Sequence, residues 1–174
     1  MRAIGPNSFP EEDNELLHTP LFKQVSPEQA NELIPYLHEA VFDKGDYIFR
    51  EGDRDHRMYL LERGRVKLIR ESKDRRVQLL SIHAHGELLG EIPVFDPSGG
   101  PRTATAVAMT HGTHVAWLEH DALFAWLNEH PRVAIDMLQV LANRMRGNNE
   151  RISDLVFMDC LLYTSPSPRD STSS

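Results

Sequence analysis

Phe42-Asp43-Lys44-Gly45-Asp46-Tyr47-Ile48-Phe49-Arg50-Glu51-Gly52-Asp53 sets the rhythm that decides the fold. A short apolar run, Tyr47-Ile48-Phe49, stands between two turn signals, Asp43-Lys44-Gly45-Asp46 and Glu51-Gly52-Asp53. The same alternation continues downstream. Met58 to Leu61 and Val66 to Ile69 flank a turn at Arg63-Gly64, and Val77 to Ile82, Thr103 to Met109 and Thr113 to Leu118 follow. Many short β runs with regular turns, from Val41 to Leu118, predict an antiparallel barrel or jelly roll. The pattern leaves the strand pairing open.

On either side of this block the period becomes helical. Upstream, Ser26-Pro27-Glu28-Gln29 carries an N-cap serine, a first-turn proline and a glutamine at the capping-box position. Pro35 ends or kinks that helix early. A shorter helical signal spans Asn14 to His18, and residues 1–13 read as a flexible lead-in. Downstream, Asp121 to Asn128 predicts a short helix, and a long one runs from about Arg132 to Met158. In the long helix Ala134, Leu138, Leu141, Met145, Asn148, Ile152 and Leu155 recur at alternating spacings of four and three. That seam is the signature of a helix paired with a copy of itself, and a polar Asn148 within it suits a role in setting register. The competing reading is a helix packed on its own barrel.

Composition bounds the function. Of 174 residues, 40% are apolar and 26% charged, enough to bury a core, and the net charge of −7 supplies no diffuse basic field for nucleic acid. No stretch is long and apolar enough to span a membrane, and the N-terminus lacks a secretory core, which places the chain in the cytoplasm. A single cysteine, Cys160, excludes an internal disulfide.

The chemistry concentrates in Leu89-Gly90-Glu91-Ile92-Pro93-Val94-Phe95, continuing through Pro97 to Pro101-Arg102-Thr103-Ala104. Gly90 permits a tight backbone approach, and a turn of helix starting there aims free amides at an anion. Arg102 offers a planar fork suited to phosphate, and Thr103 adds a hydroxyl and an amide. Glu91, ionised, accepts a sugar hydroxyl. The bland alternative is a surface loop with an incidental arginine.

Gly90-Glu91-Ile92 followed by Pro101-Arg102-Thr103-Ala104 resembles the phosphate-binding cassette of the cyclic-nucleotide-binding domain. More narrowly, the chain resembles the cyclic-AMP receptor (catabolite activator) and FNR-type transcription regulators over nearly its whole length to Asp159. Phe95-Asp96-Pro97 and Asp154-Leu155-Val156-Phe157-Met158-Asp159 are similar to the actinobacterial branch. The resemblance implies an α+β fold: an antiparallel β-roll (double-stranded β-helix, or jelly roll) over residues 14–130, with flanking short helices and a long dimerisation helix over 131–159. It implies that Gly90 and Glu91 hold the ribose, with Glu91 on the 2′-hydroxyl, that Arg102 and Thr103 hold the cyclic phosphate, and that Ile92 belongs to the same binding site. Asn148 and Asn149 stand where the family's long helix reads adenine, one from each subunit, and an amide matches the donor and acceptor of adenine's N6/N7 edge. The sequence departs from the family at three places. Thr is common where Asn148 stands, Pro93 removes an amide from the phosphate-facing turn, and the loop from Pro97 to Gly100 is longer. The implied ligand is cyclic AMP acting allosterically, with no metal and no catalysis, in a homodimer whose full-length form engages DNA and RNA polymerase through a helix-turn-helix domain.

That domain is expected just past Asp159. Instead, residues 160–174 read Cys160-Leu161-Leu162-Tyr163-Thr164-Ser165-Pro166-Ser167-Pro168-Arg169-Asp170 and then Ser171 to Ser174, a stretch without periodicity. It resembles the in-frame translation of a transposon-end adapter used in sequencing libraries, so the expectation is a regulator truncated before its DNA-reading half with a non-native disordered tail. A stand-alone cyclic-nucleotide-binding module acting on a protein partner is the alternative. Nine histidines invite a metal reading. His83 and His85 lack the remaining ligands of a cupin motif, and His111 with His114 would supply only two ligands. No metal site is expected.

Overall fold

The computed structural model describes residues 2–4 and 25–163, with side chains over 25–150 and at Ser153. The expected jelly roll is observed. Among the described residues nine strands form two antiparallel sheets: β1 (Arg2–Ile4), β2 (His38–Phe42), β9 (Thr113–Glu119), β4 (Arg57–Arg63) and β7 (Leu88–Leu89) in that order, and β3 (Tyr47–Phe49), β8 (Thr105–Ala108), β5 (Val66–Glu71) and β6 (Val77–His83) in the other. The repeated turns predicted from sequence lie between the strands of these sheets. Gly45 and Gly64, both at φ +93°, turn the chain before β3 and before β5. At Gly64 a side chain would also collide with Thr110 and Thr113, whose hydroxyl oxygens lie 2.6 and 2.8 Å from its Cβ position.

One face of each sheet meets in the core. Phe42, Phe49, Tyr59, Leu61, Val66 and Val115 pack there, with Leu61, Val66 and Val115 fully removed from solvent. Tyr59 and Leu61 place β4 against this core, yet the residues between and beyond them, Met58, Leu60 and Glu62, are buried as well. A strand buried on both faces hides the alternation that sequence reading relies on. Strands β2 and β7, too short or too interrupted to stand out, are additions to the sequence reading.

The helical predictions hold with shifts at the ends. Ser26 caps α1 (Pro27–Asn31) with the expected reciprocal Gln29 capping box, and a 3₁₀ turn at Ile34–Tyr36 takes up Pro35. The helix α3 (His120–Glu129) is tied to α1: Trp126 Nε1 donates to the Gln29 carbonyl at 3.0 Å, and His130 lies 3.2 Å from the Gln29 amide and 2.6 Å from Glu32. The long helix α4 (Pro131–Tyr163) begins as foreseen. Its first turn, to Ala134, belongs to the compact unit of the β-roll, and a second unit starts at Ile135 rather than at residue 131. Val133 explains the offset, since it is buried and bonded back to the His130 carbonyl at 2.9 Å.

Two boundaries differ from expectation. The lead-in expected over residues 1–13 contains a strand, because Arg2–Ile4 supplies hydrogen bonds to the otherwise open edge of β2. The long helix continues four residues beyond Asp159, through Cys160–Tyr163, which the sequence reading had assigned to the disordered tail. Cys160, Leu161, Leu162 and Tyr163 contain no helix breaker, and the first proline comes only at Pro166. The Asn14–His18 helix and residues 164–174 lie outside the described residues.

Leu61→Ala should destabilise the β-roll by about 2–5 kcal/mol, because the cavity opens at the centre of the core. Urea unfolding followed by circular dichroism measures it; a loss under about 1 kcal/mol would place the core elsewhere.

Candidate functional site

The predicted cassette folds as a single structural unit. Gly90 sits at φ +72° and caps α2 (Glu91–Phe95), so the chain passes from β7 through a left-handed residue directly into one and a half turns of helix. Pro93 falls at the third position of this helix and is buried, a place where its missing N–H has no intrahelical partner to lose. The longer loop that follows is closed on itself by Asp96, which accepts from the Ser98 amide at 2.9 Å and the Ser98 hydroxyl at 2.7 Å. The ordering bonds to Ser98 hold the Asp96 carboxyl below its usual pKa.

Arg102 is the centre of the site. It is only 2% exposed, an extreme for a guanidinium, and it is the largest fully buried side chain among the described residues. Its Nη1 donates to the Gly90 carbonyl at 2.8 Å and its Nη2 to the Arg57 carbonyl at 2.7 Å. Asp55 receives a fork, from Nε at 3.3 Å and from Nη2. The flat faces of the guanidinium lie 4.4 Å from the Phe49 ring centre and 5.4 Å from that of Tyr59. Burial raises the Tyr59 hydroxyl pKa, with Asp55 adding to the rise and the two arginines opposing it. The backbone is fixed equally firmly: the Arg102 amide donates to the Asp53 carbonyl at 2.8 Å, and the Gly52 amide to the Arg102 carbonyl at 2.9 Å.

Five N–H groups belong to a guanidinium, and four are used in these bonds, one each to Gly90 and Arg57 and two to Asp55. Among the described residues one Nη1 N–H is left over, beside the Gly90-Glu91 turn. An anion arriving there meets a cation already oriented by its neighbours, and it competes with Asp55 for the rest of the fork.

The structure brings together five of the seven predicted residues. Gly90, Glu91, Ile92, Arg102 and Thr103 share this corner: Glu91 opens α2 half-buried, Ile92 is exposed, and exposed Thr103 has its carbonyl held by Arg70 Nη2 at 2.9 Å. Asn148 and Asn149 lie in the second unit, on α4, and both are exposed. Sequence reading missed Asp55, Phe49, Tyr59 and the Arg57 carbonyl. The only available signal was chemical: a buried arginine requires an anion, and Asp53-Arg54-Asp55 offers acids in the turn before β4.

Compared with known proteins, residues 39–130 match the family described as "Cyclic nucleotide-binding domain". A CRP-like cAMP-activated global transcriptional regulator of Mycobacterium tuberculosis is 35% identical over 147 residues, covering 84% of this chain and 64% of that protein. The catabolite activator protein of Thermus thermophilus superposes with a TM-score of 0.68 at 29% identity, over 80% of this chain and 64% of that one. The N-terminal domain of a Streptomyces coelicolor transcriptional regulator does so with a TM-score of 0.62 at 40% identity, over 80% of this chain and 95% of that one. The chain thus spans just under two thirds of the curated mycobacterial relative.

The packing of Gly90 against Arg102 is measurable on its own. A Cβ at Gly90 would run into Arg102 Nη1, with Cζ at 3.1 Å and Phe49 Cε1 at 3.3 Å, whereas one at Gly45 meets nothing within 4 Å although φ is also positive. Gly45→Ala should cost about 1–2 kcal/mol for the left-handed backbone alone. Gly90→Ala should cost distinctly more, and thermal unfolding of the two variants should separate them; equal losses would mean that the guanidinium does not press on Gly90.

Proposed function

The chain belongs to the family of cyclic nucleotide-binding domains, and on that premise we propose that it is the sensing and dimerising part of a CRP-like transcription regulator whose effector is cyclic AMP. The observation that carries this reading is the buried Arg102, oriented by Asp55 and by two carbonyls beside the Gly90-Glu91 turn. A guanidinium so buried serves structure more cheaply as a hydrophobic residue, so its retention fits recognition of an anion. The similarity to a cAMP-activated regulator and to a catabolite activator protein supports cyclic AMP in particular.

In this reading the cyclic phosphate takes the remaining Nη1 N–H of Arg102, shares its fork with Asp55, and takes the amides at the start of α2 and the Thr103 hydroxyl. Glu91 accepts the ribose 2′-hydroxyl, with Gly90 and Ile92 shaping the turn around the sugar. Asp55 is a positioning residue. It keeps the guanidinium aimed before the ligand arrives, which lowers the ordering cost of binding. None of these steps makes or breaks a covalent bond, in keeping with relatives that act as regulators.

The helix over 131–159 joins two copies. Leu138 and Met145, on the heptad seam, are 64% and 67% exposed in the single chain, an apolar stripe that a partner helix would cover. Asn148 and Asn149 lie on the same helix and would read the adenine edge, one from each subunit. A ligand touching both the β-roll and the paired helices favours the arrangement in which both contacts form, which is the coupling a sensor needs. In the full-length regulator that arrangement would set a DNA-binding domain, and through it RNA polymerase. Among the described residues no helix is long and apolar enough to cross a membrane.

Two measurements test this reading. Isothermal titration should show cyclic AMP binding, and Arg102→Ala should weaken it roughly 10- to 150-fold, the equivalent of about 1.5–3 kcal/mol of charge-assisted hydrogen bonding. Equal affinity in the variant removes Arg102 from the site. In sedimentation velocity the chain should be a dimer and Leu141→Asp a monomer; an unchanged dimer would put the interface elsewhere.

A further inference from the structure

Away from Arg102, the five-stranded sheet carries a second cluster of charged groups that the nucleotide reading does not use. Glu39 on β2, Glu62 on β4 and His114 on β9 each offer one potential ligand atom, and these atoms lie within 4.8 Å of one another. The placement follows from the ladder. Glu39 pairs with Ala116 and Val41 with His114, so Glu39 and His114 are diagonal neighbours on the face opposite the core residues Ala40 and Val115. On the other side of β9 the register slips between Leu61 and Arg63, leaving Glu62 as the extra residue of a β-bulge beside His114. The bulge brings the Glu62 carboxylate to 2.8 Å from His114 Nδ1, while Glu39 lies 3.3 Å from Nε2. The His85 ring bonds the Glu62 carbonyl and fixes the bulged backbone.

The cluster is costly as it stands. The Glu62 side chain is 1% exposed and that of Glu39 8%, so both carboxylates are out of water. Among the described residues Glu39 Oε1 and both Glu62 oxygens have no hydrogen-bond partner, and neither does His114 Nε2, although the ring stands at ion-pair distance from both acids. The contacts are close, but their alignment is wrong for N–H donation. Two acids flank one imidazole, and the close contacts leave these buried atoms unsatisfied.

From this we propose that Glu39, Glu62 and His114 form a binding site for a divalent transition-metal ion of the zinc class, which braces β2, β9 and the bulge of β4. The donor set fits such an ion. An imidazole nitrogen and two carboxylate oxygens are ordinary zinc ligands, and three protein ligands leave a position for water. Charge balances as well, because two carboxylates and a neutral imidazole cancel a dication and leave no net charge buried. His114 is about a quarter exposed, 23%, and so provides the entry path. The sequence reading set His114 aside as half of a two-histidine pair with His111. The fold supplies the ligands instead from strands far apart in sequence.

Binding requires a neutral imidazole and ionised acids. The Glu62 carboxylate beside the ring, with the charge of Glu39 adding to it, raises the His114 pKa, and burial beside Glu62 raises that of Glu39. Protons therefore compete with the metal: zinc uptake releases protons, and affinity falls as pH is lowered.

The test is titration of the purified 174-residue chain, stripped by chelator, with Zn²⁺ alone and no nucleotide. The expected result is one zinc per chain with proton release, and a rise in melting temperature with zinc concentration. Glu62→Gln and His114→Ala should each weaken zinc on the order of 100-fold, while Glu39→Gln, conservative in volume, should do the same without unfolding the sheet. Should His114→Ala fail to fold, side-chain ¹⁵N resonances of the wild-type histidines decide, since zinc must shift His114 and leave His111 unchanged. Absence of zinc binding together with a higher melting temperature of Glu39→Gln would overturn the proposal and leave a proton shared between the acids. Zinc binding that persists at full strength in all three variants would overturn it too. Neither outcome depends on whether the chain binds a nucleotide.

Discussion

A buried guanidinium is the constraint on which the rest of the β-roll depends. Taking the Arg102 charge out of water is tolerable only if its N–H groups find acceptors, and three separate segments are bent to provide them. Asp55 supplies the counter-charge from the turn before β4, Arg57 supplies a carbonyl from the first residue of β4, and Gly90 supplies one from the cap of α2. Gly90 must be a glycine twice over, because its backbone is left-handed and the guanidinium occupies the space of its Cβ. Phe49 and Tyr59 extend the constraint into the core, since the rings that flank the guanidinium also pack among the apolar residues between the sheets. Site and core are therefore one cooperative structure.

Strand β4 is the element that this cooperation passes through. At its start the Arg57 carbonyl holds Arg102; at its middle Tyr59 and Leu61 fill the core; near its end the bulge turns Glu62 toward His114. A seven-residue strand thus touches the buried Arg102, the hydrophobic centre and the acidic cluster in turn. Its central position, between β9 and β7, explains why it is buried on both faces and why its sequence shows no alternation. The helix α4 follows a different logic. Beyond its buried Val133 and Met137 it exposes Leu138 and Met145, two apolar side chains on its heptad seam.

Much of this was legible in the residues. Turn signals at Gly45, Gly52 and Gly64 divided the chain into strands, Ser26 and Gln29 announced a capped helix, and the heptad spacing after Pro131 announced the long one, because each is a local rule acting over a few residues. Gly90, Glu91, Arg102 and Thr103 were found as a group because they lie close together in sequence and match a family cassette. Asp55 was not, since nothing local distinguishes it from Asp53 or Asp46. The end of α4 was read too early because a change in composition is not a helix breaker, and the strand at Arg2–Ile4 was missed because its stability comes from the open edge of β2.

The sequence by itself therefore determined the alternation of strands and turns, the capped helix, the long heptad-spaced helix, and the glycine-to-arginine cassette. These depend on backbone preferences and near-neighbour spacing. Only the tertiary structure decided which acid neutralises Arg102, how the guanidinium spends its five N–H groups, and that Glu39, Glu62 and His114 share one buried corner. Those outcomes depend on strand register and on a single bulge, which are set by the packing of the whole sheet and leave no periodic mark in any one segment.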